Sequence, residues 1–225
     1  MLSDFAYIPP QEKFESSNIF RFMKKFGIKT LTELLDRSRS DLAWFWDAVS
    51  DDLGIVWDEK YSKVFDTRLG KPWPKWFVNG RINIYKSCVE KFLKVQPDKI
   101  AYICLSEDNC ERTVTYAELD KEVCQLANAL KSLGVAKGDV VAIYMPMIAE
   151  AVFAILACAK IGAIHTVIFS GFSADSLRIR LQDCSAKILF TTDGFIRKGR
   201  QVSQKKVVEN SLVGTKVSQM VKGLP

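Results

Sequence analysis

The feature that most constrains the fold is a series of apolar strands separated by helical stretches in the second half of the chain. Val140–Tyr144 is apolar throughout, with no polar alternation. A strand of that kind is buried on both faces, as in a parallel sheet. A helix is expected over Ile148–Ile161, a strand over Ile164–Phe169, and a helix over Ser173–Cys184 with Leu177, Leu181 and Cys184 inward. Strand Lys187–Thr191 closes the series. The pattern is β-α-β-α-β with short connections, so the crossovers are right-handed and the sheet is parallel and doubly wound. Ligands of such sheets bind outside the carboxyl ends of the strands.

The chain divides near residue 80. Residues 1–80 read as short helices and aromatic-rich loops. Ser17–Phe26 is amphipathic and stops at Gly27. Thr30-Leu-Thr-Glu33 has the form of a capping box, and Ser40 is placed to cap a further helix carrying Leu42, Trp44, Phe45 and Trp46. Two prolines in Lys71–Phe77 exclude regular structure there. Five tryptophans fall between Trp44 and Trp76, and they are expected to pack this layer against a larger body. In residues 81–225, Ile84, Tyr85, Cys88, Val89, Phe92 and Leu93 mark one helical face. Lys99–Leu105 and Thr113–Thr115 read as a hairpin. Thr115-Tyr-Ala-Glu118 is a second capping box, opening a helix that Gly134 ends. The fold class is therefore α/β: a partial doubly wound sheet preceded by a helical, Trp-rich region.

Charge needs locating before it is interpreted. The formal net charge is +6, from 32 Lys+Arg against 26 Asp+Glu. The whole excess sits in the last 29 residues, which hold seven basic residues and one acidic, Glu209. A nucleic-acid binder spreads basic residues over a docking face with interleaved aromatics. Only Phe195 lies near these, so nucleic-acid binding is disfavoured. The six cysteines have no CxxC or zinc spacing, and several fall on apolar stripes, where they read as small hydrophobes. Met1–Pro10 lacks a basic signal region, and a reducing cytoplasm is the expected compartment. Val140–Phe169 is broken by Pro146, Glu150 and Lys160, so it is not expected to cross a membrane.

Two carboxyl-end loops carry the chemistry. Phe169-Ser-Gly-Phe-Ser173 joins a strand to a helix N-terminus. Gly171 permits close backbone approach, and the helix offers unpaired N–H groups suited to phosphate. An ordinary glycine turn followed by an N-cap serine has the same sequence. Arg197 and Arg200 are three apart, and a helical turn puts both on one side, a good match for phosphate oxygens. A solvated basic surface is the other reading. The strands preceding the two loops are expected to be neighbours. His165, the only histidine, is expected in the core or at an interface. No GxSxG elbow, GxxxxGK[ST] loop or paired carboxylates stand out, so the residues give an anion-binding edge without a catalytic centre.

Trp76-Phe-Val-Asn-Gly-Arg-Ile-Asn83 is similar to a segment near the start of acetyl-CoA synthetases. Thr113-Val-Thr-Tyr-Ala-Glu-Leu119 is similar to the opening of the AMP-binding region of the adenylate-forming superfamily. Val140–Met147, Gly162–His165, Val167–Ser173 and Asp193–Arg200 follow in family order. The resemblance implies a two-step ligase, in which ATP and an acid give an acyl-adenylate and the CoA thiol then displaces AMP. Carried across, the CoA-contacting segments are Phe169, Ser170 and Gly171, and Arg197, Lys198, Gly199 and Arg200. The sequence departs from the family at Ser170, where glycine is usual.

The family's Ser/Thr/Gly-rich loop ending in Pro-Lys does not occur. The resemblance therefore implies an amino-terminal portion, with 1–80 the family's N-terminal region and 81–225 an incomplete AMP-binding domain. Such a portion is not competent to adenylate alone. ATP and magnesium then belong to the complete enzyme, and the partners implied are coenzyme A and a second chain carrying the remainder. A subunit of a split ligase and a non-catalytic CoA-binding module are the alternatives. A doubly wound sheet cut after its third strand leaves an exposed apolar edge, so self-association is expected. No strand or helix is expected in Leu212–Pro225.

Overall fold

The computed structural model describes residues 7–107, 109–213 and 219–221. The chain forms two compact units, Met1–Ile82 and Asn83–Pro225.

In the first unit, helices α1 (Gln11–Glu15), α2 (Asn18–Lys25), α3 (Leu31–Ser40) and α4 (Leu42–Asp52) precede four short strands. Ser17 caps α2 by accepting from the Phe20 N–H at 3.2 Å. The capping box at α3 is only half made. Thr30 accepts from the Glu33 N–H at 3.1 Å, but the Glu33 carboxylate reaches past Thr30 to the Lys29 N–H at 2.9 Å. The cap of α4 is Asp41, accepting from the Trp44 N–H at 2.9 Å, rather than Ser40. Ser40 ends α3 and donates to the Arg37 carbonyl, because α3 runs one turn further than its last apolar residue. Phe22, Met23, Ile28, Leu34 and Ala48 are the core, with Trp44 and Phe45 packed against it.

Strand β1 (Trp57–Glu59) pairs with β4 (Arg81–Ile82), and β2 (Lys63–Asp66) with β3 (Lys75–Val78), both antiparallel. Regular structure thus resumes immediately after Pro74, within the segment expected to lack it. Proline constrains itself and the residue before it, not the residues after it. Trp76 contacts Phe65 at 4.4 Å and Trp46 at 6.1 Å, and Trp57 contacts Phe77 at 5.2 Å, so these rings pack within the unit. Trp73 is 74% exposed.

The second unit opens with a helical stretch that widens into a π-helical turn at Lys86–Glu90 before α5 (Lys91–Leu93). The i→i+5 turn shifts the helical phase, so Tyr85 and Val89 are buried while Cys88 and Ile84 are exposed. Hairpin β5 (Ile100–Leu105) and β6 (Glu111–Thr115) leads into α6 (Tyr116–Ser132), whose capping box is complete. Then follow β7 (Val140–Tyr144), α7 (Ala149–Ile161), β8 (Ile164–Val167), α8 (Ala174–Asp183) and β9 (Ile188–Thr191). Hairpin β10 (Gly194–Arg197) and β11 (Arg200–Ser203), helix α9 (Gln204–Leu212) and strand β12 (Gln219–Val221) complete the unit.

The sheet order is β12-β9-β7-β8, and every pairing is parallel. Val141, Ile143, Ile188 and Phe190 face the cluster built with α6 and α7, while Ala142, Tyr144 and Leu189 face the cluster built with α8 and α9. The sheet is doubly wound as the pattern requires. Two expectations are corrected. β9 does not close the series, because β12 adds a fourth parallel strand from the stretch expected to hold none. Three residues are too few to show periodicity, and the pairing with β9 defines them as a strand. His165 is exposed rather than in the core, because β8 lies at the sheet edge among the described residues. Cys158 is buried, and burial pushes its thiol up to about 12, whereas Cys88 and Cys110 are exposed. No helix among the described residues is long and apolar enough to cross a membrane.

Candidate functional site

The site lies where β7, β8 and β9 end. β8 and β9 are not neighbours, since β7 runs between them. The chain leaving β8 forms the Phe169–Phe172 loop and enters α8 at Ser173, whose hydroxyl accepts from the Ser176 N–H at 3.4 Å. Phe169 and Phe172 meet edge to face, with ring centroids 5.6 Å apart.

The chain leaving β9 makes the β10–β11 hairpin. Arg197 and Arg200 sit opposite each other at its end, joined by Lys198 (φ +51°) and Gly199 (φ +69°). Two successive left-handed residues make the tight turn that fits the twist of paired strands, and glycine adopts the second at no steric cost. The expected helical turn is therefore a β-turn. The two arginines still share one side, because directly opposed residues of an antiparallel pair project to the same face.

The two loops converge. A Cβ on Gly171 would lie 2.6 Å from the Phe169 ring and 2.9 Å from Arg197 Nη1, so a larger residue would displace one or both side chains. The Arg197 guanidinium carbon is 5.7 Å from the Phe169 ring centroid, a cation–π distance. Phe169, Ser170 and Arg197 line one cleft of ≈ 530 Å³ together with Pro146 and Met147 from the end of β7 and Glu107 from the β5–β6 turn. Lys198, Gly199 and Arg200 form the hairpin tip beside this cleft rather than its lining. The Gly199 N–H approaches the Glu107 carboxylate at 3.4 Å.

Sequence reasoning missed the residues that hold this arrangement. The Tyr144 hydroxyl lies 2.8 Å from the Phe172 carbonyl and 3.0 Å from that of Ser170. Tyr144 is buried, and burial raises its phenol above the usual value. Gln204, also buried, donates to the Tyr144 carbonyl at 2.9 Å and accepts from the Thr192 hydroxyl at 2.8 Å. The available signal was the one polar atom in the run Val140–Tyr144. A buried Tyr hydroxyl requires a partner.

Comparison with known proteins gives the following. The acetyl-coenzyme A synthetase N-terminus family matches residues 31–88, and the AMP-binding enzyme family matches residues 89–223. The acetyl-coenzyme A synthetase of Laribacter hongkongensis is 37% identical over 212 residues, covering 94% of this chain and 31% of that protein. That of Methanothrix soehngenii is 41% identical over 211 residues, covering 92% and 31%. The acetoacetyl-CoA synthetase from Streptomyces lividans has a similar fold, with a TM-score of 0.85 and 27% identity, covering 95% of this chain and 36% of that one. The chain spans about a third of the length of the curated relatives it matches.

Proposed function

The chain belongs to the AMP-binding enzyme family, joined to an acetyl-coenzyme A synthetase N-terminus, and from that premise we propose that it carries the CoA-nucleotide site of an acetate–CoA ligase. The complete reaction converts ATP, acetate and CoA into acetyl-CoA, AMP and pyrophosphate. CoA supplies the thiol that takes the acyl group. The residues of this chain bind and orient its nucleotide half. Arg197 and Arg200 offer guanidinium donors to phosphate oxygens, with Lys198 between them as a point charge. Gly171 lets the Phe169 ring and Arg197 close over the loop backbone, and Phe169 gives an apolar face at the cleft wall.

The observation that carries this reading is the convergence of Gly171 and Arg197 on one another from loops that follow different strands. The donor set is cationic and the cradle is one that a Cβ would fill, so the residues suit a phosphate-bearing ligand. The serine at 170 turns its main-chain carbonyl inward to Tyr144, so the departure from glycine leaves that anchor intact.

Calorimetric titration of the chain with CoA tests the proposal. Measurable binding is expected, weakened tenfold or more in an Arg197→Ala, Arg200→Ala double variant, since charge-assisted hydrogen bonds contribute about 1.5–3 kcal/mol each. Equal binding by that variant would remove the reading. The chain alone is expected to give acetate-dependent ATP–pyrophosphate exchange at background, because the loop ending in Pro-Lys does not occur in it. Activity restored by a second chain that supplies the loop would make it one subunit of a split ligase.

A further inference from the structure

We infer that Tyr144 and Gln204 are positioning residues, a buried strut at the end of β7 that holds both halves of the cleft in register. The inference rests on the CoA reading for its ligand, but its geometry stands independently. The side chain of Tyr144 serves one half. Its hydroxyl shares a single proton between the Ser170 and Phe172 carbonyls, fixing the backbone on either side of Gly171. The main chain of Tyr144 serves the other half, because its carbonyl accepts from Gln204 Nε2. Gln204 Oε1 takes the Thr192 hydroxyl, and the Gln204 and Lys205 N–H groups donate to the Asp193 carbonyl at 3.0 and 3.1 Å. Thr192 and Asp193 are the residues from which the β10–β11 hairpin, and so Arg197, springs.

Both anchors are almost wholly buried: Tyr144 is 1% and Gln204 1% exposed. Water cannot replace a lost partner there, so deletion of one polar group leaves another unsatisfied. β7 is interior to the sheet, flanked by β8 and β9, so its end lies between the loops that follow its two neighbours. A ligand that needs Gly171 and Arg197 at their observed spacing therefore depends on one residue that touches neither the ligand nor Arg197.

The test uses the full chain with CoA as the probe, read by calorimetry and by hydrogen exchange resolved to segments. Tyr144→Phe is expected to speed exchange at residues 169–173 and to weaken CoA about fivefold to tenfold, the effect of one buried hydrogen bond. Gln204→Met is expected to speed exchange at 192–203 instead, with a similar loss of affinity. Arg197→Ala should cost less affinity in the Tyr144→Phe background than in the original chain, because the spacing it relies on is already relaxed. A merely structural role would lower Tm and leave that coupling at zero. Tyr144→Phe with unchanged exchange at 169–173, or with unchanged affinity in a chain that binds CoA, overturns the inference. If the original chain does not bind CoA, the ligand reading fails and segment-specific exchange alone decides the strut. Thr192→Val, which removes only the donor to Gln204, keeps the test open if Tyr144→Phe does not fold.

Discussion

Strands β7 and β8 are paired neighbours, but β7 is apolar throughout and β8 carries His165 and Thr166, and they live in different environments. Val141, Ala142, Ile143 and Tyr144 are buried, with a strand on each side and helices on both faces. In β8, Ile164 is 55% and Val167 58% exposed. The register makes the contrast local. Val141 lies opposite His165 and Ile143 opposite Val167, so the face that α6 and α7 cover at β7 is bare one strand further out. An apolar run therefore identifies a strand without giving its rank in the sheet. Burial is supplied by neighbours, and among the described residues β8 has a strand on one side only. The contrast extends to the site: the interior strand ends in a fixed Tyr144, and the edge strand ends in the loop that Tyr144 holds.

The largest expected effect tests this contrast directly. Ile143→Ala should cost about 3 kcal/mol, because the removed methyl groups leave a cavity among residues that cannot collapse. Val167→Ala should cost well under about 1 kcal/mol, since its side chain is already half in water. Urea unfolding of both variants gives the comparison, and equal costs would break it. A smaller effect comes from the start of the interior strands. The Asp139 carboxylate accepts from Lys187 Nζ at 2.8 Å and from the Ala136 N–H at 2.7 Å, tying the approach to β7 to that of β9. Lys187 first, and then the Ala136 N–H, hold Asp139 below its ordinary value of 3.8. A carboxyl whose folded value is lowered stabilises the fold above its unfolded value, and that contribution is lost as pH falls through the lowered one. Stability should therefore fall below about pH 4, and Asp139→Asn should flatten that part of the Tm–pH curve. An unchanged curve would show that the pair does not pin the two strands.

Some local signals were legible, and others, such as the half-made Thr30–Glu33 capping box and the Ser40 cap, were not. The Thr115–Glu118 capping box is fully formed, and Gly27 and Gly134 end their helices with positive φ. Signals that depend on neighbours were not. The π-helical turn at Lys86–Glu90 has no composition of its own, and the three residues of β12 become a strand only beside β9. At the site, the residue types were legible but their frame was not. Arg-Lys-Gly-Arg reads as a helical turn or a solvated basic surface, and the left-handed Lys198 and Gly199 make it a β-turn instead. Gly171 and Arg197 were individually visible. Their contact depends on Tyr144 and Gln204, which read in sequence as a strand end and a helix start.

The smallest effect on stability carries the most information about the edge. Val167→Lys places a charge on β8 where the side chain is already exposed, so the folded state should lose less than about 0.5 kcal/mol. Its effect on association should be much larger. Among the described residues no strand pairs with the outer side of β8, which Ile164 and Val167 flank, and that is the geometry that pairs with another strand. A lysine keeps its stem on the apolar surface and its ammonium in water, and it repels an identical copy approaching edge to edge. The chain is expected to self-associate at high concentration, and Val167→Lys to shift it toward monomer at unchanged Tm. Sedimentation velocity across a concentration series reads this. Monomeric behaviour of the unaltered chain would remove the edge as an association surface. Association that persists equally in Val167→Lys would place the contact elsewhere, with the exposed Ile179 on α8 as the next residue to change.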